Sequence, residues 1–189
     1  MKMPWLNGNS SRIPVVEKSE AAEGLERAVG IMTRAIAEIG ALTMLDAVYR
    51  TTGQRIQELL EDAYVSVSTR EEHQDYFRIL GVFGLEKYYE ELIRRFKVDP
   101  SRIIYPEADM TPDELQCFRS EKLERFPKGL YEIMVRKVPR PVCQAAGRFL
   151  GIKSIYTMGF VTDDIHYGGI VIYGKTDTLP FLPLIEALM

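Results

Sequence analysis

The chain is 189 residues long, 46% hydrophobic and 27% charged, enough for one well-buried domain with a helical extension and too short for two complete enzymatic domains. Its formal net charge of −3 supplies no general attraction to nucleic acid or to an anionic membrane, so neither is expected as a partner. No run approaches the roughly 18 consecutive apolar residues of a membrane span, and the start MKMPWLNGNSSR lacks the apolar region of a signal peptide, which leads us to expect a cytoplasmic protein.

Residues 1–16 are polar, contain Pro4 and Pro14, and read as a flexible lead or an added segment. Residues 17–40 place Leu25, Val29, Met32, Ile36 and Ile39 at alternating intervals of four and three, the apolar seam of a helix that needs a partner. After a break near Gly40, Leu42, Leu45, Tyr49, Thr52, Ile56 and Leu59 continue the same period in a second amphipathic helix. The period then falls to two. In AYVSVSTRE, Ala63, Val65 and Val67 alternate with Tyr64, Ser66 and Ser68, predicting a strand with one apolar face. DYFRILGVFGL follows as a second strand across the polar turn REEHQ.

LEKYYEELIRRFK predicts a helix with Leu85, Tyr88, Tyr89, Leu92 and Phe96 along one side, ended by Asp99-Pro100. RIIYPEAD is a short strand and turn. In MTPDELQCF, Thr111 is the N-cap, with Pro112 first in the helix and Glu114 completing a capping box. GLYEIMVRK reads as extended, and the prolines at 139 and 141 introduce a helix PVCQAAGRFLG closed by Gly151. IKSIYTMGFV and IHYGGIVIYG are two strands around the turn TDD. LPFLPLIEALM starts a helix that runs to Leu188-Met189 without a cap, the pattern of a helix continuing into further chain. Hairpins near both ends predict an antiparallel sheet flanked by helices, an α+β fold.

Several groupings invite a chemical reading. Asp163, Asp164 and His166 are too few for a metal site on a strand whose neighbours alternate sides; the aspartates read as turn residues and His166 as a strand-edge side chain. His73 reads as a solvated turn histidine. The seven basic residues between 119 and 140 are Arg119, Lys122, Arg125, Lys128, Arg136, Lys137 and Arg140; they read as a solvated face in preference to an anion-binding rim. Cys117 and Cys143, the only cysteines, form no CxxC, so neither a disulfide framework nor a zinc site is expected. Phosphate-binding glycine loops and GxSxG are absent from the sequence, leaving no catalytic and no metal residue to name.

Taken together, IQELLEDAYVSVST, RIIYPEADM and above all VPRPVCQAAGRFLGIKSIYTMGFVTDDIHYGGIVIYG resemble a GAF domain of a microbial sensor histidine kinase or related signalling protein. In such domains a helix after the prolines feeds a hairpin whose last strand carries a small-residue pair, here Gly168-Gly169, followed by alternating aliphatics. The resemblance divides the chain into residues 1–16, a signalling helix at 17–40 and a GAF-like sensor domain at 41–189.

The resemblance implies a six-stranded antiparallel sheet flanked by helices, with a ligand pocket roofed by the middle helices. It also implies a homodimer through the N- and C-terminal helices, with Leu25, Val29, Met32, Ile36 and Ile39 in the seam, and a downstream kinase or other output domain. Tyr105, Tyr131, Met134, Cys143, Tyr156 and Met158 combine apolar bodies with polar handles and are the pocket residues we nominate for an unidentified small ligand. Pigment-binding members usually carry a His beside the cysteine near this position. Here Val142 and Gln144 flank Cys143, so no bilin is expected; haem-binding members use an axial His, for which His166 is the candidate. No cofactor is predicted. Lacking a phosphoacceptor motif and an ATP-binding glycine box, the chain is expected to be no enzyme. The alternatives are a dimerisation and relay module without ligand, and a cysteine-dependent reductase of the free methionine sulfoxide type.

Overall fold

A computed structural model describes residues 20–70, 74–163 and 165–189. The expectations for the lead at 1–16, for His73 and for Asp164 lie outside these residues. Helices α1 (Glu20–Gly40) and α2 (Leu45–Leu60) precede strands β1 (Ala63–Arg70) and β2 (Tyr76–Phe83). Helix α3 (Tyr89–Phe96), strand β3 (Ile104–Pro106), helix α4 (Pro112–Arg119) and strand β4 (Glu124–Arg125) follow. Then come helices α5 (Leu130–Ile133) and α6 (Arg140–Leu150), strands β5 (Ser154–Thr162) and β6 (Ile165–Gly174), and helix α7 (Leu182–Leu188). The six strands form one antiparallel sheet in the order β3-β2-β1-β6-β5-β4, so β1 and β6 are its centre.

One face of the sheet carries α1, α2 and α7. Ile56 and Leu59 of α2, Ile31 and Met32 of α1 and Ile185 of α7 join Val65, Val67, Ile170 and Ile172 of the central strands in a single core. Helix α2 lies close on β1 because Gly53 leaves room; a Cβ there would collide with the Val67 side chain and the Phe83 ring. The partner that the α1 seam demands is partly supplied within the chain. Met32 is buried and Ile39 half-buried, while Leu25, Val29 and Ile36 stay 49–60% exposed. The buried stripe runs through Ala28, Ile31, Met32 and Ala35, one side of the predicted seam, and Arg55 of α2 ties the pair at 2.8 Å from Glu38.

The opposite face is roofed by α3, α4, α5, α6 and their loops. Because both faces are covered, β1 is buried on its Tyr64 and Ser66 side as well, not on one apolar face alone. The capping box of α4 forms as read: the Glu114 N–H donates to Thr111 Oγ1 and the Thr111 N–H donates to the Glu114 carboxylate at 2.9 Å. GLYEIMVRK is not extended. Leu130, Ile133 and Met134 stand at helical intervals, and Glu132 accepts from the Gly129 N–H at 3.2 Å, so the stretch winds into the single turn of α5. The sixth strand is instead β4, two residues long and too short to show a period.

Candidate ligand pocket

The pocket begins with a fault in β6. From Gly174 to Gly168 its residues pair with β5 in one register, and from His166 outward the register shifts by one, between Phe160 and Val161. One extra residue in β6 makes a β-bulge. Gly168 adopts φ +155 there, and a Cβ on it would run into the Ser68 carbonyl and lie 2.9 Å from Thr69 Cα. A regular strand would put His166 on the helix side with Ile170 and Ile172; the bulge turns it to the roof side with Val171 and Tyr173. His166 is therefore not a strand-edge side chain. It is 3% exposed, its ring packs 4.6 Å from that of Phe77, and neither ring nitrogen makes a hydrogen bond of ordinary geometry among the described residues, although the Gly168 backbone lies near enough to act on the ring. Burial pulls its pKa down to about 4, opposed by the Gly168 backbone and assisted by the charges of Arg119 and Arg70, so the imidazole is neutral near pH 7.

Two chambers lie between the sheet and the roof. The larger, of about 70 Å³, is walled by apolar groups that include Val82, Leu92, Leu130, Met134 and Cys143. The smaller, of about 30 Å³, holds His166, Phe77, Tyr105 and Phe118. Ser66, Ile79 and Tyr173 line both, and the Ser66 and Tyr173 hydroxyls stand 3.4 Å apart. The Tyr105 hydroxyl donates to Met134 Sδ at 3.4 Å. Burial pushes Tyr173 up to about 12 and Tyr105 well above the ordinary tyrosine range, so both remain neutral donors. Among the described residues, no Asp, Glu, Lys or Arg lines either chamber.

The roof is strapped down by charge. Glu114, with 1% of its side chain exposed, takes Arg136 at 2.5 Å and Lys128 at 3.2 Å, and Lys137 pairs with Asp109 at 2.5 Å. Burial by itself would raise the Glu114 carboxyl, but Arg136, the Thr111 amide and Lys128 outweigh it and hold the pKa at about 2. Between the straps, Val135 and Arg136 both take positive φ, 46° and 60°. For a β-branched valine that is a strained conformation, worth about 1–2 kcal/mol. Five of the seven basic residues between 119 and 140 are spent on carboxylates: Arg119, Lys128, Arg136, Lys137 and Arg140.

The nominated residues divide. Tyr105 borders the smaller chamber, Met134 and Cys143 the larger. Tyr131 lies outside both, in an open cleft of about 870 Å³, with the Arg140 guanidinium 4.5 Å over its ring. Tyr156 and Met158 are corrections. They point to the other face, into the core under α1 and α2, while their neighbour Ile155 faces the roof. The lining residues that sequence reasoning missed are Phe77, Ser66 and Tyr173, while His166 was singled out but read at a strand edge; the Gly168-Gly169 pair is the signal that β6 departs from regularity. Asp163 sits in the β5–β6 turn at φ 51°. No cluster of three metal-ligating side chains occurs among the described residues, and no helix there is long and apolar enough to cross a membrane.

A sheet in this order, helices at the chain ends on one face and a roofed cavity on the other can be set against solved structures. The chromophore-binding domain of Stigmatella aurantiaca phytochrome P1 superposes with a TM-score of 0.57 at 13% identity, over 91% of this chain and 60% of that one. The GAF domain of a phosphoenolpyruvate-protein phosphotransferase from Coxiella burnetii matches at TM-score 0.54 and 14% identity, over 86% of each chain. The fold is that of GAF domains. A phycocyanobilin-bound GAF domain from a cyanobacterial phytochrome matches over 85% of this chain and 87% of its own, at TM-score 0.54 and 13% identity. The chain thus spans about three fifths of the phytochrome structure and nearly all of the isolated GAF domains. No protein-family model and no curated protein matches the sequence.

Proposed function

We propose that the chain is the sensory region of a signal-transduction protein. A small ligand is taken up between sheet and roof, and the resulting shift passes to α1 and α7 on the far face. From there a helical homodimer relays it to an output domain such as a histidine kinase. The observation that carries this reading is the chambered cavity, apolar except for a few converging hydroxyls and a buried imidazole that makes no hydrogen bond of ordinary geometry, which is the composition of a recognition site. The exposed apolar stripe of Leu25, Val29 and Ile36 on α1 supports the dimer, since it continues the heptad seam beyond what α2 and α7 cover.

Both chambers are far below the roughly 300–1,000 Å³ of ordinary ligand sites, so uptake requires the roof to move. A ligand can bias the dimer only by binding one roof position more tightly than another. The cysteine-reductase alternative loses support, because burial pushes Cys143 up to about 11 and also raises Cys117, the reverse of an activated thiolate. A covalent bilin at Cys143 is opposed by the same protonated thiol and by the size of the chambers. The test is to measure oligomeric state by sedimentation and thermal shift across a broad metabolite library. A concentration-dependent dimer and at least one stabilising compound are expected; a strict monomer with no shift for any compound overturns the reading.

A further inference from the structure

We infer that the pocket's ligand is an uncharged aromatic compound of single-ring size bearing one hydroxyl, a phenol in chemical class, held with that hydroxyl against His166. This rests on the sensory reading above and specifies its ligand.

Charge is excluded first. With no ionised side chain among the described residues lining either chamber, an ionic ligand would surrender its hydration without a counter-charge. The two guanidinium groups that act on His166, Arg119 and Arg70, both pair with Glu107 at 3.6 Å.

The polar end of the ligand is located by elimination. The Ser66 and Tyr173 hydroxyls face each other, the Tyr105 hydroxyl has Met134 Sδ, and the Ser68 hydroxyl donates to the Gly169 carbonyl at 3.3 Å. Among the described polar groups of the cavity, His166 alone makes no hydrogen bond of ordinary geometry at either ring nitrogen, the Gly168 backbone acting on it only weakly, while 97% of its surface is withdrawn from solvent. A buried polar group left unpaired is costly enough to call for an occupant. A neutral imidazole offers one donor and one acceptor, and a hydroxyl can meet either.

Size and shape set the remainder. The two chambers together are smaller than the roughly 150 Å³ cavity that holds benzene, so one ring is the largest body a modest roof movement admits. Phe77, Tyr105, Phe118 and Tyr173 present aromatic surface around the smaller chamber, which favours a flat ring over an aliphatic one.

The experiment titrates the whole chain with phenol, toluene and benzoate, following the methyl resonance of Met134 by NMR, and repeats the titration with His166→Leu and His166→Gln. Phenol is expected to bind wild type and to lose about tenfold in affinity in His166→Leu, the worth of one buried hydrogen bond. Toluene should be unchanged within about twofold, and His166→Gln should recover part of the phenol affinity. Phenol affinity indifferent to both substitutions, or benzoate binding tighter than phenol, overturns the inference and leaves the sensory reading standing through toluene. If neither phenol nor toluene perturbs Met134, the inference falls, and the sensory reading is decided separately by sedimentation and the metabolite library. The wild-type comparison of the three probes decides the charge question even if a variant fails to fold.

Discussion

The two faces of the sheet are built to different standards. On the helix side one continuous core contains Ile31, Ile56, Leu59, Ile170, Ile172 and Ile185, each at most 2% exposed. On the roof side the apolar residues separate into two clusters, one around Tyr64, Leu92 and Tyr173 and one of Phe77, Tyr105 and Val135. Chambers lie between them, and the roof is held by ion pairs and by two residues at positive φ. The difference teaches how the two faces divide: close packing makes one face costly to alter, and the other face keeps the looseness that the proposed ligand uptake needs.

The largest expected effect tests that asymmetry directly. Ile56→Ala should cost about 4 kcal/mol in chemical denaturation, and Met134→Ala, beside a chamber, about 2 kcal/mol even with the acceptor of the Tyr105 hydroxyl removed; equal costs would end the distinction. Next comes the roof strap. Glu114 titrates at about 2 when folded against an ordinary 4.5, so its contribution is full above pH 4.5 and is lost as pH falls toward 2. Glu114→Gln should therefore lose about 3 kcal/mol near neutrality, with the gap to wild type closing across that window in pH-dependent urea melts. His166 acts in a higher window. Its folded value of about 4 against an ordinary 6.5 means that the unfolded chain binds the proton more readily, so stability is complete above pH 6.5 and declines toward pH 4. Between pH 7 and 5 wild type should lose about 2 kcal/mol that His166→Leu retains, measured by the same melts. The smallest effect on the fold belongs to the exposed side of α1: Leu25→Ser with Ile36→Ser should change monomer stability by less than about 0.5 kcal/mol while abolishing the proposed dimer in sedimentation.

Much of the scaffold was legible because it repeats a period or ends on a signal. Tyr49, Thr52, Ile56 and Leu59 are buried on α2 as their spacing predicts, Thr111 caps α4, and Gly151 closes α6 at φ 70°. The site was less legible for three physical reasons. Tyr156 and Met158 sit on a strand buried on both faces, where alternation separates the two sides without saying which one meets a ligand. The turn of α5 is too short for its helical spacing to outweigh an extended reading. His166 was misplaced because a bulge reverses the alternation of β6, and a one-residue shift in register leaves no mark on composition. Only the need for glycine at 168 betrays it.

The central strands carry a consequence for divergence. Along β1, Ala63, Val65 and Val67 belong to the helix-side core, while Tyr64, Ser66 and Ser68 face the roof; β6 divides Ile170 and Ile172 from Val171 and Tyr173 in the same way. The helix-side core and the lining of the candidate pocket are thus written on interleaved residues of the same strands. If the proposed site binds a ligand, substitutions at one set retune what is bound while the other set keeps the helix-side core, so a library varied only at 64, 66, 68, 171 and 173 would explore new specificities on that frame.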